Sequence, residues 1–493
     1  MRTWTAFALV AAFLVAGCSG NHKAAATPPV VPTPPHDVSY DGFGAPVATA
    51  KALQGNITVV PHQVHARGGE PNIGVTPVGN VFVTAGPGVW RSMDHGSTWR
   101  EVFNLTTAFS FVPPNDQTPG YTRSSDDMLW VDPDTGRIFA DFMTSLACSN
   151  MVRSDNEGAT WQMKPLTCGI LVNDHQKVMT KHWGPTVPAP PATVYPNLVY
   201  YCYNKLVESN CAVSYDGGTT FQFDRPAAIA PVTGGEGQLT APCGGINGHP
   251  AAAMDGTLYL PIALGCPGPV VAVSRDNGLT YTVRQGPGDD GAEEIDPDMT
   301  VTPDGTAYML YRGTDHMQYL VRSKDQFASW DGPWRVSPPG VTSTVFAGIT
   351  SQEDGRIAMA FLGTRDSAEY PEKVSNETRW HLWTVLSYDS EAGSPTFRAI
   401  QVTPEDSPVQ IGCVWLSGGG NPCRNMLDFI DMTSDRDGRF LVVFSDGCDQ
   451  QCDHNATATN EQSRSRQVTV AVLEGGPSLV AASRLVNGVA QPA

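Results

Sequence analysis

Ser92-Met-Asp94-His-Gly96-Ser-Thr98-Trp99, Ser214-Tyr-Asp216-Gly-Gly218-Thr-Thr220-Phe221 and Ser274-Arg-Asp276-Asn-Gly278-Leu-Thr280-Tyr281 repeat one pattern, Ser-x-Asp-x-Gly-x-Thr-aromatic. A fourth copy, Ser154-Asp-Asn156-Glu-Gly158-Ala-Thr160-Trp161, carries Asn for the Asp. Two worn copies run from Ser323-Lys-Asp325 to Trp330 and from Ser387-Tyr-Asp389 to Thr396-Phe397. The starting serines stand 62, 60, 60, 49 and 64 residues apart, the mark of one supersecondary unit repeated along the chain. Within the pattern, Ser and Asp side chains hydrogen-bond nearby backbone N–H groups and Gly supplies a positive φ. The Thr-aromatic pair then restarts a strand. The motif predicts a tight turn that staples two strands, with its ring tucked against the neighbouring unit. Calcium or ligand binding is the alternative use of its Asp.

A second series runs in step with the first. Turn residues followed by apolar strands occur at Gly79–Thr84, Gly136–Phe142, Asn197–Cys202, Gly256–Ile262, Gly305–Tyr311, Gly355–Phe361 and Gly438–Phe444. Most follow a hairpin signal such as Asp132-Pro-Asp-Thr-Gly136 or Thr302-Pro-Asp-Gly305. Each reads as the second strand of a four-stranded blade, with the Ser-x-Asp turn following in all but the last. Seven second strands against six turns predict an all-β, single seven-bladed β-propeller. Six blades with a decorated end is the alternative count. The last blade has a third strand at about Gln467–Leu473 but no turn motif after it. Its fourth strand is expected from the N-terminal side, around Ile57–Val64, which closes the ring and removes exposed edges.

The turn motif resembles the Asp-box, or BNR repeat, of sialidases and related propellers, where it joins the third and fourth strands of a blade. The likeness covers roughly residues 60–475. In true sialidases it would imply hydrolysis of terminal sialic acid by three arginines, a Tyr-Glu nucleophile pair and an acid/base Asp. This chain departs from them at the first blade, where Glu70-Pro71-Asn72 stands in place of Arg-Ile-Pro. Arg67, Arg123 and Arg424 near strand starts are the substitute candidates for substrate binding, and no Tyr is assigned as nucleophile. Glu70-Pro-Asn-Ile-Gly-Val-Thr-Pro77 and Asp428-Phe-Ile-Asp-Met-Thr-Ser-Asp-Arg-Asp-Gly438 resemble the first and last blades of exported sialidase-like BNR proteins. That group is defined by fold, and fold alone does not confer function.

Residues 1–17 hold an Arg at position 2, a short apolar run and Leu14-Val-Ala-Gly before Cys18. The segment resembles a bacterial lipoprotein signal, which implies lipidation of Cys18 and a membrane-anchored, exported protein. A plain secretory signal and a membrane helix are the other readings, and the run is short for a span. Residues 18–37 are rich in Ala, Pro and Thr and read as a semi-extended tether, with the propeller from 38 to 493. Ten cysteines remain besides Cys18, an even number that suits an oxidising compartment. They fall in close pairs: Cys148 and Cys168, Cys202 and Cys211, Cys243 and Cys266, Cys413 and Cys423, Cys448 and Cys452. Disulfides within blades are the expectation, with a metal or redox site at Cys448-Asp-Gln-Gln-Cys452 as the alternative. The formal net charge of −18 argues against nucleic-acid partners and a polybasic membrane face.

In a propeller the innermost strands start around one mouth of a central funnel. Their starts read as Gly69–Asn72, Arg123–Asp127, Asn173–His175, Asn247–His249, Glu293–Asp298, Ser343–Phe346 and Arg424–Asp428. Six of the seven carry Asp, Glu or His, although charged residues make up only 16% of the chain. Carboxylates so gathered suit glycoside hydrolysis, one as acid and another as base or nucleophile. The candidate acids are Glu70, Asp127, Asp174 and Asp298, with Glu236 from a loop; His249 joins the arginines as a binding candidate. Strand capping, turn bonding or a structural cation are the bland uses of the same acids. A lyase would need a His or Tyr base, for which His175, His249 and His316 stand by. The competing class is a non-catalytic propeller that holds a glycan or an envelope protein, with Trp183, Trp380, Trp383 and Trp415 available for stacking. There are no nucleotide-binding glycine loops, zinc-spaced ligands or serine elbows, so no cofactor or metal is expected, and a monomer is.

Overall fold

The computed structural model describes residues 37–493 except 48–54, 109–122, 145, 147, 167–172, 188, 190–193, 206–207, 230–245, 264–265, 288–290, 294 and 449–464, and of 123–126, 223, 228 and 229 the backbone alone. The signal segment, Cys18, the tether and Glu236 lie outside the described residues.

Each Ser-x-Asp turn closes on itself as its residue types demand. Ser92 Oγ donates to Asp94 Oδ1 (2.7 Å) and accepts from the Gly96 N–H (2.8 Å). Asp94 then accepts from Thr98 N (2.8 Å) and Thr98 Oγ1 (2.6 Å). Gly96 has φ +97°, and Trp99 Nε1 returns to its carbonyl at 2.9 Å. The same bonds recur at Asp216 and Asp276, and with Ser329 replacing Thr at Asp325. At Asn156 the amide oxygen takes the Thr160 N–H while Nδ2 donates to Thr160 Oγ1. All six turns join the third and fourth strands of a blade.

Seven antiparallel sheets follow in chain order. Blade 1 comprises Ile73–Val75, Val81–Ala85, Gly88–Ser92 and Arg100–Asn104. Blade 2 spans Arg123–Val131 to Gln162–Leu166, blade 3 Asp174–Lys181 to Gln222–Ile229, and blade 4 Ala251–Ala252 to Thr282–Gln285. Blade 5 runs from Asp298–Val301 to Asp331–Arg335, blade 6 from Ser343–Glu353 to Thr396–Gln401. Blade 7 takes Asp431–Ser434, Phe440–Asp446 and Gln467–Pro477 from the end of the chain, and its fourth strand is Thr58–Arg67. The expected ring closure is therefore present, and the count is seven.

The core is divided among the seven interfaces rather than gathered in one place. Phe82, Val89 and Phe103 of blade 1 meet Leu129, Ile138 and Phe142 of blade 2, and equivalent apolar clusters fill the other six gaps. The motif rings enter these gaps: Trp99 between blades 7 and 1, Trp161 between 1 and 2, Phe221 between 2 and 3. Two elements go beyond the sequence reading. Asp37–Asp41 adds an outer strand to blade 6, where Arg398 grips Asp37 at 2.8 and 2.5 Å, and Ser483–Val486 with Val489–Pro492 forms a terminal hairpin.

Disulfides join Cys202 to Cys211, directly opposed on neighbouring strands of blade 3, and Cys413 to Cys423. Cys148, Cys266 and Cys448 are disulfide-bonded as well. Cys168, Cys243 and Cys452, the partners expected for them, lie outside the described residues. Such bonds persist in oxidising compartments. Among the described residues no helix is long and apolar enough to cross a membrane.

Candidate functional site

The inner strands of all seven blades line an axial cavity of about 330 Å³. Their starts are stitched to one another by side chains. Asp298 accepts the N–H of its neighbour Met299 (2.7 Å) and that of Ile349 in blade 6 (2.8 Å). Asp431 does the same with Met432 (2.7 Å) and Ile73 of blade 1 (2.9 Å). Glu70 Oε1 takes the Asp428 N–H at 3.0 Å, and Asn72 Nδ2 donates to the Asp127 carbonyl at 2.7 Å. Register shifts put bulges at the starts of the inner strands of blades 2, 3 and 6. His175 (φ +46°) and Phe346 (φ +65°) sit in two of them, and Glu70 has φ +50°. Unfavourable backbone of this kind persists where surrounding contacts over-determine it, often at functional sites.

Above the cavity, polar and charged groups from four blades form one buried cluster. Asp296 is fully buried, and Lys177 Nζ lies 3.1 Å from each of its oxygens. His175 Nδ1 binds Asp296 Oδ2 at 2.9 Å, and its Nε2 faces Asp428 Oδ2 at 3.9 Å. Arg424 clasps Asp428 with two bonds of 2.5 and 2.7 Å. Phe429 floors the cluster: Lys177 Nζ stands 3.9 Å from its ring centre, and the His249 ring meets it edge-on at 5.0 Å.

Burial and neighbouring charge split the ionisation of these groups. Burial works against a charged Asp296, but Lys177 and the histidine bond outweigh it and hold the carboxyl well below the usual range. Burial opposes the charge on His175 too, yet the Asp296 bond and the charges of Asp174, Asp296 and Asp428 lift it to about 9. His249 goes the other way, pushed down to about 3 by burial and by Lys177. Burial raises Asp431 to about 7 against its two backbone bonds. Burial and then the charge of Asp431 push Asp298 well above the ordinary carboxylate value.

The structure brings Glu70, Asp127, Asp174, His249, Asp298 and Arg424 to one mouth, with His249 and Asp298 lining the cavity. Asp174 accepts the His175 N–H (3.1 Å) and supports that imidazole's charge. Arg67 is exposed at the end of the outermost strand of blade 7, away from the inner strands, because the chain must still cross to the axis over residues 68–72. Arg123 starts the inner strand of blade 2. Arg424 is engaged by Asp428 rather than turned to a ligand. Asp296, Lys177 and Asp431 were not singled out by sequence reasoning. A signal existed for Asp431: Asp-Met-Thr occurs at 298–300 and again at 431–433, each at the start of an inner strand.

Sheet order, turn chemistry and this axial cluster define a seven-bladed Asp-box propeller with a polar plug across its axis. The chain belongs to the BNR repeat-like domain family, whose pattern matches residues 172–440, more than half of its length. A xyloglucanase of Hypocrea jecorina (strain QM6a) is 28% identical over 112 residues, which is 20% of this chain and only 13% of that protein. Solved structures of similar fold include an α-L-arabinanase of Penicillium chrysogenum complexed with arabinobiose (14% identity, TM-score 0.39, 71% of this chain and 99% of that one). An intramolecular trans-sialidase of Ruminococcus gnavus is 12% identical, with TM-score 0.40 and coverage of 85% and 96%. The Aleuria aurantia lectin is 12% identical, with TM-score 0.39 and coverage of 70% and 99%.

Proposed function

We propose that this protein is a carbohydrate-active propeller, a glycoside hydrolase that works from its axial cavity and is tethered outside the cytoplasm by a lipid on Cys18. One observation carries the reading: Asp298 and Asp431 line the same cavity, and burial raises both carboxyls above the ordinary range. Two carboxyls facing one cavity are the requirement for an acid and a base at one glycosidic bond. Asp298, whose hold on a proton is strengthened by burial and by the charge of Asp431, gives its proton to the leaving oxygen as the C–O bond breaks. Asp431, ionised in part near neutrality, takes a proton from the attacking water or attacks the sugar carbon itself. The Asp296–Lys177–His175 cluster holds both strand starts in place and does not touch the substrate.

A second reading rests on a different observation. Asp298, Asp431 and Glu70 all accept N–H groups from a neighbouring blade, so these acids serve as staples of the ring. On that reading the propeller binds a glycan or an envelope partner without cleaving it. The experiment is sugar release by the full chain from a panel of neutral oligosaccharides, plant polysaccharides and sialosides, in detergent. Release that falls at least ~100-fold in Asp298→Asn and Asp431→Asn, with the fold intact, supports hydrolysis. Binding without release supports the second reading.

A further inference from the structure

Among the described residues the axial cavity is open at one end only. Near the strand starts its lining is buried, at His249, Asp298 and Ile349. Toward the other end exposure rises through Val301, Thr433 and Ser434. That open end lies on the face of the turns between first and second strands. The opposite end is closed, among the described residues, by fully buried Lys177 and Asp296 over the Phe429 ring.

His249 stands at the closed end and is only 8% exposed, yet neither of its ring nitrogens makes a hydrogen bond. Nδ1 lies 3.4 Å from Asp296 Oδ1 without bonding geometry, and Nε2 has no partner among the described residues. Buried polar groups in folded proteins are almost always satisfied, and His249 lines the cavity, so its unpartnered ring marks the place of a partner from outside the chain. The lining states what that partner is. Among the described residues it contains no lysine or arginine, and the cations above it are committed, Lys177 to Asp296 and Arg424 to Asp428. An anionic sugar would meet two carboxyls and no counter-charge. The hydroxyls of an uncharged sugar find His249, the two carboxyls and the hydroxyls of Thr433 and Ser434, while Met128 and Met299 present apolar surface to its C–H faces.

We propose that the axial cavity takes an uncharged sugar or chain end, entering through the face of the first-to-second-strand turns, with His249 as its innermost polar anchor. This rests on the carbohydrate reading above and adds the class of sugar and the direction from which it comes. The test is equilibrium binding of neutral glycosides and of sialosides to the full chain and to two variants, His249→Leu at the closed end and Ser434→Trp across the open end. The expected result is binding of at least one neutral glycoside, sialosides at least ten-fold weaker, a ten-fold or greater loss in His249→Leu, and near-complete loss in Ser434→Trp. Unchanged melting temperature in Ser434→Trp, a partly exposed position, shows that its loss is not unfolding. Sialosides bound as well as neutral sugars, or neutral sugars bound equally by Ser434→Trp, overturn this inference and leave the carbohydrate reading standing. Failure of every sugar to bind the wild-type chain overturns both.

Discussion

Lys177 shows how far a single residue can hide in a sequence. It sits inside His-Gln-Lys-Val-Met, an unremarkable strand, and its partner Asp296 lies 119 residues away. Nothing local marks it; only the ring brings the two together. Removing one member of a buried pair strands the other charge, so Lys177→Met should cost about 3–5 kcal/mol in denaturant unfolding. Lys177→Met combined with Asp296→Leu should recover most of that loss, and equal losses in single and double variants would contradict the pairing. Asp431 makes a prediction with a definite sign. Its carboxyl is raised from the ordinary value to about 7, so the folded chain binds the proton more tightly than the unfolded chain. The associated stability is present in full below about pH 4 and is lost as pH rises through 7. Asp431→Asn should therefore gain relative to wild type at pH 8 compared with pH 5, on the order of 2–4 kcal/mol. Parallel stability curves over that range would refute the assignment. Glu70 and Asp298 were legible as residues of the mouth because charge at strand starts is unusual; their bonds to the next blade were not, since the partner is a backbone N–H.

At the scale of elements, the Ser-x-Asp turn was the most legible feature, because its bonds are local and its residue types leave one solution. Asp94 is partly buried, which alone would raise its pKa, but bonds from Thr98 and Ser92 hold it below the usual value. Its oxygens are bonded within that turn, as the stapling reading expects. Asp94→Ala should destabilise the chain by about 1–2 kcal/mol, and calcium or a chelator should leave the melting temperature of wild type unchanged. A chelator-sensitive melting temperature would restore the cation role. The strand Asp37–Asp41 was not legible: five residues next to a Pro-rich stretch carry little periodic signal. Yet Tyr40 is fully buried in the gap between blades 5 and 6 and packs on Phe397 at 5.8 Å. Truncation after Tyr40 should lower the melting temperature by several degrees relative to truncation after Pro35, through loss of the Arg398–Asp37 pair and the edge strand.

For the whole molecule, the count of seven second strands against six boxes predicted a blade shared by the two ends of the chain, and blade 7 is that blade. Thr58–Arg67 closes it against Gln467–Pro477, so the ring has no free seam between first and last blades. Deletion through Gly69 would expose the Gln467–Pro477 strand and should replace cooperative unfolding by a broad transition with aggregation. The axial plug was not readable in advance, because it assembles from four blades whose contributions are each a common residue. Its consequence, among the described residues, is a channel open at one face, lined by two carboxyls raised by burial and an unpartnered histidine, and the functional account rests on that channel. The most direct test is a crystal structure of the full chain soaked with neutral oligosaccharides. The account predicts a sugar ring within hydrogen-bond reach of His249 Nε2 and Asp431, reached from the Ser434 end. Sugar bound elsewhere on the propeller, with the axial cavity holding only water, would contradict it.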